Sequence, residues 1–298
     1  MQTAKAFPAE FLLWILIVLS VAGCAVKPYQ YTAGLEGPLT LELQESEPQI
    51  ERGRPVAIVD GLGHYFFSIP SKLVLLNWDI DNHHISTSTE EAISTYLADN
   101  DLKNVKVRLN QYSPGGEWKR LVFNSDMPGF FRFTLGVLAT SFYTIFPGRL
   151  FGGDNYNPYT NTINLYSDHA AVALHEAAHA KDFVGRSRGF KGWYSAMRIL
   201  PLMPLYQEGK ASGDAIGYTI EREMTETEAD AYKTLYPAYM TYVAGEGLRW
   251  VPVEPWVSLG IQFAVALPGH LVGNIKAAMQ DDPQKSPSVE KESPPTDL

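Results

Sequence analysis

The sequence predicts an α+β protein in which a small antiparallel or mixed sheet packs on two long helices. A strand at Thr160–Tyr166 places Ile163 and Leu165 on one face, as period-two alternation requires. An alanine-rich segment that is apolar on almost every side follows it at once, which predicts a buried helix ending near Phe183. A second long helical region covers about 204–236. Strand, buried helix and second helix therefore form the expected centre of the fold.

Composition bounds the class of protein. The 298 residues are 45% hydrophobic and 19% charged, which fits one large domain or two small ones and excludes a disordered chain or a coiled coil. The single cysteine excludes a disulfide framework, a four-cysteine zinc ribbon and an iron–sulfur protein. The net charge of −9 argues against a nucleic-acid partner.

The N-terminus has the pattern of an export signal. Residues 11–22 form an apolar run that is short for a membrane span, and the run ends in Val21-Ala22-Gly23-Cys24. Small residues before a cysteine resemble a bacterial lipobox, which implies a signal peptide over 1–23 and a lipid on Cys24. The alternative is an uncleaved N-terminal anchor. Under both interpretations the chain is exported and tethered to a membrane. The absence of Asp after Cys24 favours the outer membrane, facing the periplasm, in the bacterial cell envelope.

The segments that flank the body differ from it in composition. Residues 24–54 are polar and punctuated by Pro and Gly, which predicts an extended leader. Residues 281–298 are rich in Pro, Ser and charge, which predicts a disordered tail. The predicted folded domain is therefore 55–280.

Within the first half of the body, short apolar runs predict strands. Val56–Val59 and Leu73–Leu76 are candidate strands. A doubled capping box beginning at Thr87 opens a helix that ends near Asn100. Val105–Leu109 alternates with period two, which predicts a half-buried strand, and Trp118–Phe123 is a candidate partner for it.

Residues 130–146 are unusually apolar, and two interpretations remain open. The run is shorter than a typical membrane span, which favours a buried core helix. The alternative is a helix that dips into the bilayer to which the protein is tethered.

The two central helices have predicted ends. Ser167 or Asp168 is expected to cap the first helix, and His169 lies beside them. The second region is expected to break near Gly217 and to end or kink at Pro237.

The buried helix carries the residues that indicate chemistry, His175-Glu176-Ala177-Ala178-His179. Histidines at i and i+4 lie one turn apart on one helical face, so that both imidazoles can reach one Zn²⁺ ion. Glu176 lies at the edge of that face, where it can act as general base without binding the metal. Buried polar groups on an apolar helix need partners, and a metal would supply them.

A catalytic zinc site needs a third protein ligand, and the candidate is Glu226 in Glu226-Thr227-Glu228-Ala229-Asp230. The two motifs together resemble the gluzincin zinc metallopeptidases, in particular the HtpX-type membrane proteases and their exported periplasmic relatives. The resemblance covers about 90 residues and implies a zincin-like fold. It also implies that Glu226 binds zinc and that Asp230 orients a zinc-binding histidine. As i, i+4 carboxylates, these two would repel each other unless a cation lay nearby.

Alternatives to this ligand set remain. Glu226 could instead pair with Arg222 on a solvated helix, and Asp182, three residues after His179, is a rival ligand or a salt-bridging group. The reaction also needs a donor for the developing oxyanion. Spacing does not separate the residues downstream of Glu226, which are Tyr232, Tyr236, Tyr239, Tyr242, Arg249 and His270. Tyr236 and His270 are the first two to test.

These expectations add up to an exported, lipid-anchored zinc endopeptidase with one Zn²⁺ per chain, held by His175, His179 and Glu226. Its substrates would be polypeptides, namely misfolded or unassembled envelope proteins. Two alternatives stay open: a non-catalytic zinc-containing assembly or binding lipoprotein, and a zinc hydrolase acting on peptidoglycan.

Overall fold

The computed structural model of the chain describes residues 47–249 and 251–280. This part is α+β, with mostly helices and one small mixed sheet of four strands. The predicted signal peptide, Cys24, the leader as far as residue 46 and the tail 281–298 lie outside the described residues. The predicted fold class is confirmed at this level.

The sheet has the strand order β1-β2-β4-β3. The strands are β1 Ile50–Arg52, β2 Lys106–Leu109, β3 Asn155–Asn157 and β4 Thr162–Leu165. The first three in spatial order run parallel, and β3 pairs antiparallel with β4, so that the sheet is mixed. β4 therefore lies inside the sheet and β3 at its edge.

Strand β2 was expected to be half-buried, but all four of its residues are buried. Lys106 and Arg108, which the period-two pattern would place in water, are held by ion pairs to Glu51 and Glu117. Buried charges are tolerated when they are paired in this way. The alternation of apolar and charged residues predicted the strand correctly and its burial wrongly.

Three segments predicted as strands are helical. Val56–Val59 lies in and before α1 (Ala57–Leu62), which continues through a π-helical turn (Gly63–Phe67). Leu73–Leu76 overlaps α2 (Ile69–Leu75), and Trp118–Phe123 lies in α4 (Pro114–Phe123). Apolar runs of four to six residues fit a strand or a helix equally well, because periodicity needs a longer window to separate them.

Helix α3 (Thr87–Asp99) ends at Asn100 as predicted, but its N-cap is Ser86. The carboxylate of Asp168 accepts hydrogen bonds from Ser86 N at 2.9 Å and Thr89 Oγ1 at 2.6 Å. Asp168 was expected to cap the helix that follows it; it supports the start of α3 instead. This contact ties the end of the β4 segment to α3.

The apolar segment 130–146 is helical, but it is not a buried core helix. It comprises α5 (Gly129–Phe131), a π-helical turn (Arg132–Gly136) and α6 (Val137–Ile145), and α7 (Gly148–Phe151) follows. Thr140 and Tyr143 face the interior, whereas Leu138, Phe142 and Ile145 are each about two-thirds exposed. One face of the segment packs on the protein and the other is uncovered.

The remaining helices build the centre of the molecule. They are α8 (Ala170–Val184), α9 (Arg188–Met197), α10 (Met203–Glu221), α11 (Thr225–Leu248) and α12 (Pro255–Gln280). The main core lies between the sheet and helices α3, α8, α10 and α11, and it includes Val107, Ile163 and Leu174. The predicted second helical region is broken at 222–224, between α10 and α11, and not near Gly217.

Helices α11 and α12 pack along each other. Pro237 was expected to end or kink the second helical region, but α11 runs on through it to Leu248. Gly269 and Gly273 of α12 lie against the α11 backbone at Pro237 and Tyr232, where a Cβ atom would not fit. By length and composition α12 could cross a membrane, although core helices of soluble proteins pass the same test. In the most apolar 18-residue stretch of α12, 22% is buried.

Candidate metal centre

Two imidazoles and one carboxylate meet between α8 and α10. His175 Nε2 lies 3.1 Å and His179 Nε2 lies 3.3 Å from the same atom, Glu208 Oε2. All three residues are buried, and their ligand atoms lie within 4.8 Å of one another. Two histidines and a glutamate form a donor set that zinc enzymes use, with a fourth position left for water or substrate. The group could hold one metal ion.

The sequence places these residues together by burying two helices with small side chains. Helix α8 contributes Ala173, Ala177 and Ala180, all fully buried. On α10, Glu208 shares a buried stripe with Ala211 and Ala215, at the spacing i, i+3, i+7. Alanines on both surfaces let the helices approach closely, so that a short glutamate side chain spans the gap to both imidazoles.

Neighbouring side chains fix the ligands. Ser212, one turn after Glu208, places its hydroxyl 3.3 Å from His175 Nδ1. A partner on Nδ1 leaves Nε2 free to bind a metal. Arg198 donates to Glu208 Oε1 at 2.5 Å, which leaves Oε2 to face the histidines. Burial opposes ionisation of Glu208, but the two imidazoles outweigh it and hold the pKa of this carboxyl well below its usual range. Glu208 is therefore an ionised carboxylate beside the two imidazoles.

Glu176 supplies a second carboxyl group with a different protonation behaviour. It is 8% exposed. Burial, against the opposing charge of His175, raises the pKa of Glu176 to about 7, and the charge of Glu208 adds to the rise. A carboxyl group with a pKa near 7 can take up and release protons at neutral pH, which a general base must do. The predicted role of Glu176 fits this environment.

Two tyrosines of α11 lie within the influence of Glu208: the charge of Glu208 acts on Tyr239 and on Tyr242, and Tyr242 also forms a hydrogen bond with it. The negative charge of Glu208, then burial and the charge of Glu176, raise the pKa of the Tyr242 hydroxyl well above its ordinary value. The hydroxyl therefore stays protonated and can donate a hydrogen bond. Tyr242 belongs to the list of downstream candidates that spacing did not separate.

The structure corrects the predicted third ligand. Glu226 is exposed in the first turn of α11, and the carboxylate against the imidazoles is that of Glu208. Acidic side chains in a first turn stabilise the helix N-terminus, which accounts for Glu226 and Glu228 without a metal. Arg222, the alternative partner of Glu226, forms an ion pair with Asp99.

The predicted orienting role of Asp230 is also corrected. Asp230 is exposed, and its charge acts on His169, the residue before α8, whose Nε2 lies 3.0 Å from Thr234 Oγ1. The residue next to the Nδ1 atom of His175 is Ser212. The residue on which the charge of Asp230 acts is therefore His169, before the motif helix.

The other predicted site residues have partners elsewhere. His270 Nε2 lies 2.8 Å from the Val74 carbonyl oxygen, at the contact of α12 with α2. Tyr236 packs edge-on against Tyr232, and the ammonium group of Lys276 lies 5.9 Å from its ring centre. These contacts give both residues packing roles.

Asp182, the rival ligand, is a salt-bridging group. Its Oδ1 accepts from Arg186 at 2.7 Å and from Lys210 at 2.5 Å, and its Oδ2 accepts from Tyr194 at 2.5 Å. Both oxygens are therefore used in joining α8 to α9 and α10, and the salt-bridging alternative is the one that the structure supports.

An edge strand, β3, runs beside the motif helix, and the predicted strand Thr160–Tyr166 lies inside the sheet as β4. Asp154, just before β3, accepts hydrogen bonds from Tyr166 N at 2.6 Å and Ser167 N at 3.1 Å. The Tyr156 ring of β3 lies 5.7 Å from that of Phe183 on α8. These contacts fix β3 at the edge of the sheet next to α8.

Sequence reasoning missed Glu208 and Arg198, and it named Tyr242 only as one of six downstream candidates. A signal for Glu208 was present: a glutamate in the segment Glu208-Gly209-Lys210-Ala211-Ser212-Gly213, where small residues indicate close helix packing. A carboxylate on such a surface needs a buried partner. No comparable pattern marks Arg198 or Tyr242. No protein-family model, curated protein or solved structure matches the chain significantly.

Proposed function

We propose that the protein is a zinc-dependent endopeptidase with a zincin-like site, in which His175, His179 and Glu208 hold the metal. The observation that carries the proposal is the convergence of both histidine Nε2 atoms on one ionised carboxylate oxygen, beside a buried Glu176. Bound zinc would supply Lewis acidity toward a peptide carbonyl and lower the pKa of water.

The residues of the chain have separate roles in this proposal. Glu176 takes a proton from the attacking water and passes it to the leaving amine. Tyr242 donates a hydrogen bond to the oxyanion that develops on the scissile carbonyl. Arg198 keeps Glu208 ionised and directs its free oxygen toward the histidines. Both imidazole side chains retain about a tenth of their surface exposed, at 10% and 11%, so that the site can be reached from solvent.

The edge strand supports a polypeptide substrate. An extended peptide can add to the outer edge of β3 by main-chain hydrogen bonds, which bind any sequence. Because β3 lies next to α8, a peptide bound there would pass close to the metal ligands. The proposed substrates are misfolded or unassembled envelope proteins, and the proposed location is the envelope, with a lipid anchor at Cys24.

Glu176→Gln tests the proposal, with denatured casein and peptidoglycan sacculi as separate substrates. Loss of a general base lowers the rate by about 10²–10⁴-fold. Casein cleavage should fall by this factor while zinc stays bound, because Glu176 is not a ligand. Cleavage of sacculi alone would favour the peptidoglycan hydrolase. Zinc binding without hydrolysis of either substrate by the unaltered protein would favour the non-catalytic lipoprotein.

A further inference from the structure

A connected row of aromatic rings lies on the surface, outside the metal site. Phe142 and Phe146 of α6 have ring centres 4.9 Å apart, and Phe146 lies 5.7 Å from Phe151 of α7. Phe151 in turn contacts Phe67 at 4.9 Å, and Phe67 contacts Phe66 at 5.0 Å. We call these five residues the aromatic surface. It joins two segments that lie far apart in the sequence.

Two of these rings are uncovered to a degree that is unusual for phenylalanine, and Phe146 and Phe151 are 45% and 43% exposed. Phe66 and Phe142 are 68% and 65% exposed, and Tyr65, next to the row, is 71% exposed. Aliphatic neighbours on the same two segments are exposed as well: Ile58, Leu62, Leu138 and Ile145. Contiguous apolar patches of this kind mark contact sites for a protein or a membrane.

The two segments that carry the aromatic surface differ from the rest of the chain in their charge. The chain carries a net charge of −9, yet residues 56–78 and 129–151 contain one acidic side chain, Asp60, and three basic ones. Asp60 is neutralised by Arg149 at 2.7 Å, and Lys72 is buried. Arg132 is the remaining basic side chain. No unpaired carboxylate therefore faces outward from these segments, so that none would be repelled by anionic lipids.

The sequence before the described residues indicates what contacts the aromatic surface, namely a membrane. Residues 11–22 form the apolar run, and α1, which borders the aromatic surface, begins 33 residues after Cys24, at Ala57. Whether the N-terminus is lipidated or left as an anchor, it holds this part of the protein near a bilayer. Aromatic and aliphatic side chains on short helices bind at the boundary between headgroups and acyl chains.

Helix α2 extends the apolar character toward the C-terminal helix. Leu73, Leu76 and Trp78 are more than half exposed, and α2 packs against α12 through the bond from His270 to Val74. Leu271 on α12 is 64% exposed. Uncovered apolar residues thus continue from the aromatic surface along α2 to the outer side of α12.

We propose that the aromatic surface lies in the interface of a phospholipid bilayer, so that the protein contacts the membrane through its folded domain as well as through its N-terminus. The contact needs no metal and does not depend on the proposed peptidase activity. It would hold the domain in one orientation on the membrane.

The test places an environment-sensitive fluorophore at single positions of the full chain. Phe142→Cys or Phe66→Cys carries an NBD label in the full chain with Cys24 kept, and the unaltered chain, treated in the same way, measures any label on Cys24. The matched control is Ile220→Cys. Ile220 is also an exposed apolar residue, but it lies on α10, where Tyr218, two residues before it, bonds to Asp99 of α3. Vesicles contain phosphatidylethanolamine and phosphatidylglycerol, with or without doxyl-labelled lipid.

We expect the emission from positions 142 and 66 to shift to shorter wavelength on addition of vesicles and to be quenched by doxyl lipid, while position 220 changes in neither way. Phe146→Asp should abolish the quenching at position 66, and Ile220→Asp should not. Equal responses at all three positions, or no response, would overturn the proposal. Shielding of position 142 before vesicles are added would also overturn it, since a segment of the chain or a second copy would then cover the surface.

Discussion

Replacing Glu208 with Gln should remove zinc binding, and replacing Glu226 with Gln should not. The two changes are chemically identical, but Glu208 is 1% exposed and contacts both imidazoles, whereas Glu226 is exposed at the start of α11. Loss of a residue that only supports a ligand weakens metal affinity by about 10–100-fold. Loss of a ligand should exceed that range, so we expect at least ~100-fold, which equals about 2.7 kcal/mol.

The expected loss of zinc affinity can also be expressed as a change in Tm. At a free zinc concentration of 100 times the dissociation constant of the unaltered protein, binding stabilises the fold by about 2.7 kcal/mol. A variant that binds 100-fold more weakly would gain only about 0.4 kcal/mol at the same concentration. For a domain of this size, 1 kcal/mol corresponds to about 2–4 °C in Tm. The zinc-dependent rise in Tm should therefore be about 5–10 °C for the unaltered protein and about 1 °C for Glu208→Gln.

Two controls separate ligand loss from misfolding. Melting curves without zinc report the fold alone, where Glu208→Gln weakens the ion pair with Arg198. Because the Arg198 side chain is 44% exposed, this cost should be about 1 kcal/mol or less. Equilibrium dialysis of zinc measures affinity directly. A zinc-dependent rise in Tm that persists in Glu208→Gln and disappears in Glu226→Gln would refute the placement of the site.

Four further outcomes are expected. Tyr242→Phe should lower kcat by about 10²-fold or more, as for loss of an oxyanion donor, and Tyr236→Phe in the same peptide assay should not. Zinc affinity of Tyr242→Phe should fall by no more than the about 10–100-fold expected when a ligand loses a supporting hydrogen bond. Asp182→Ala should reduce the free energy of unfolding by about 3 kcal/mol in urea titrations, because it leaves Lys210 and Arg186 without their shared carboxylate, while zinc affinity stays the same. Burial and the charge of Asp81 raise the pKa of Asp154 to about 6. The free energy of unfolding of the unaltered protein should therefore fall by on the order of 2 kcal/mol relative to that of Asp154→Asn as the pH rises from about 4 to 7. Parallel pH dependences of the two proteins would contradict this. Zinc binding at pH 7 should release more protons from the unaltered protein than from Glu176→Gln, measured by calorimetry in buffers of different ionisation enthalpy.

The residues that the sequence located correctly are those whose role follows from one helix. His175, Glu176 and His179 are fixed relative to each other by helical geometry, and an Ala-rich helix had to be buried. The third ligand depends on which part of a second helix packs there, and helical periodicity does not contain that information. The motif Glu226–Asp230 matched a family pattern, but its acidic side chains stabilise a helix N-terminus and face His169.

The incorrect predictions about the fold also arise because a local sequence pattern does not contain the packing of distant segments. Val56–Val59 and Trp118–Phe123 are too short for their period to distinguish a strand from a helix. Burial of β2 could not be predicted, because Lys106 and Arg108 are buried only through acidic partners elsewhere in the chain. Residues 130–146 show the opposite case, since apolar composition predicted burial and the structure leaves one face uncovered.

Charge balance explains why two glutamates of the site behave differently. Glu208 is compensated by two imidazoles and bonded by Arg198, so it stays ionised. For Glu176 the charges of His175 and Arg198 do not outweigh burial and the charge of Glu208, and its pKa is raised to about 7. A dication bound by the histidines would favour the ionised form of Glu176. In the proposed mechanism, binding of the metal and ionisation of the base would then be linked, with Glu176 beside the ligands and not one of them.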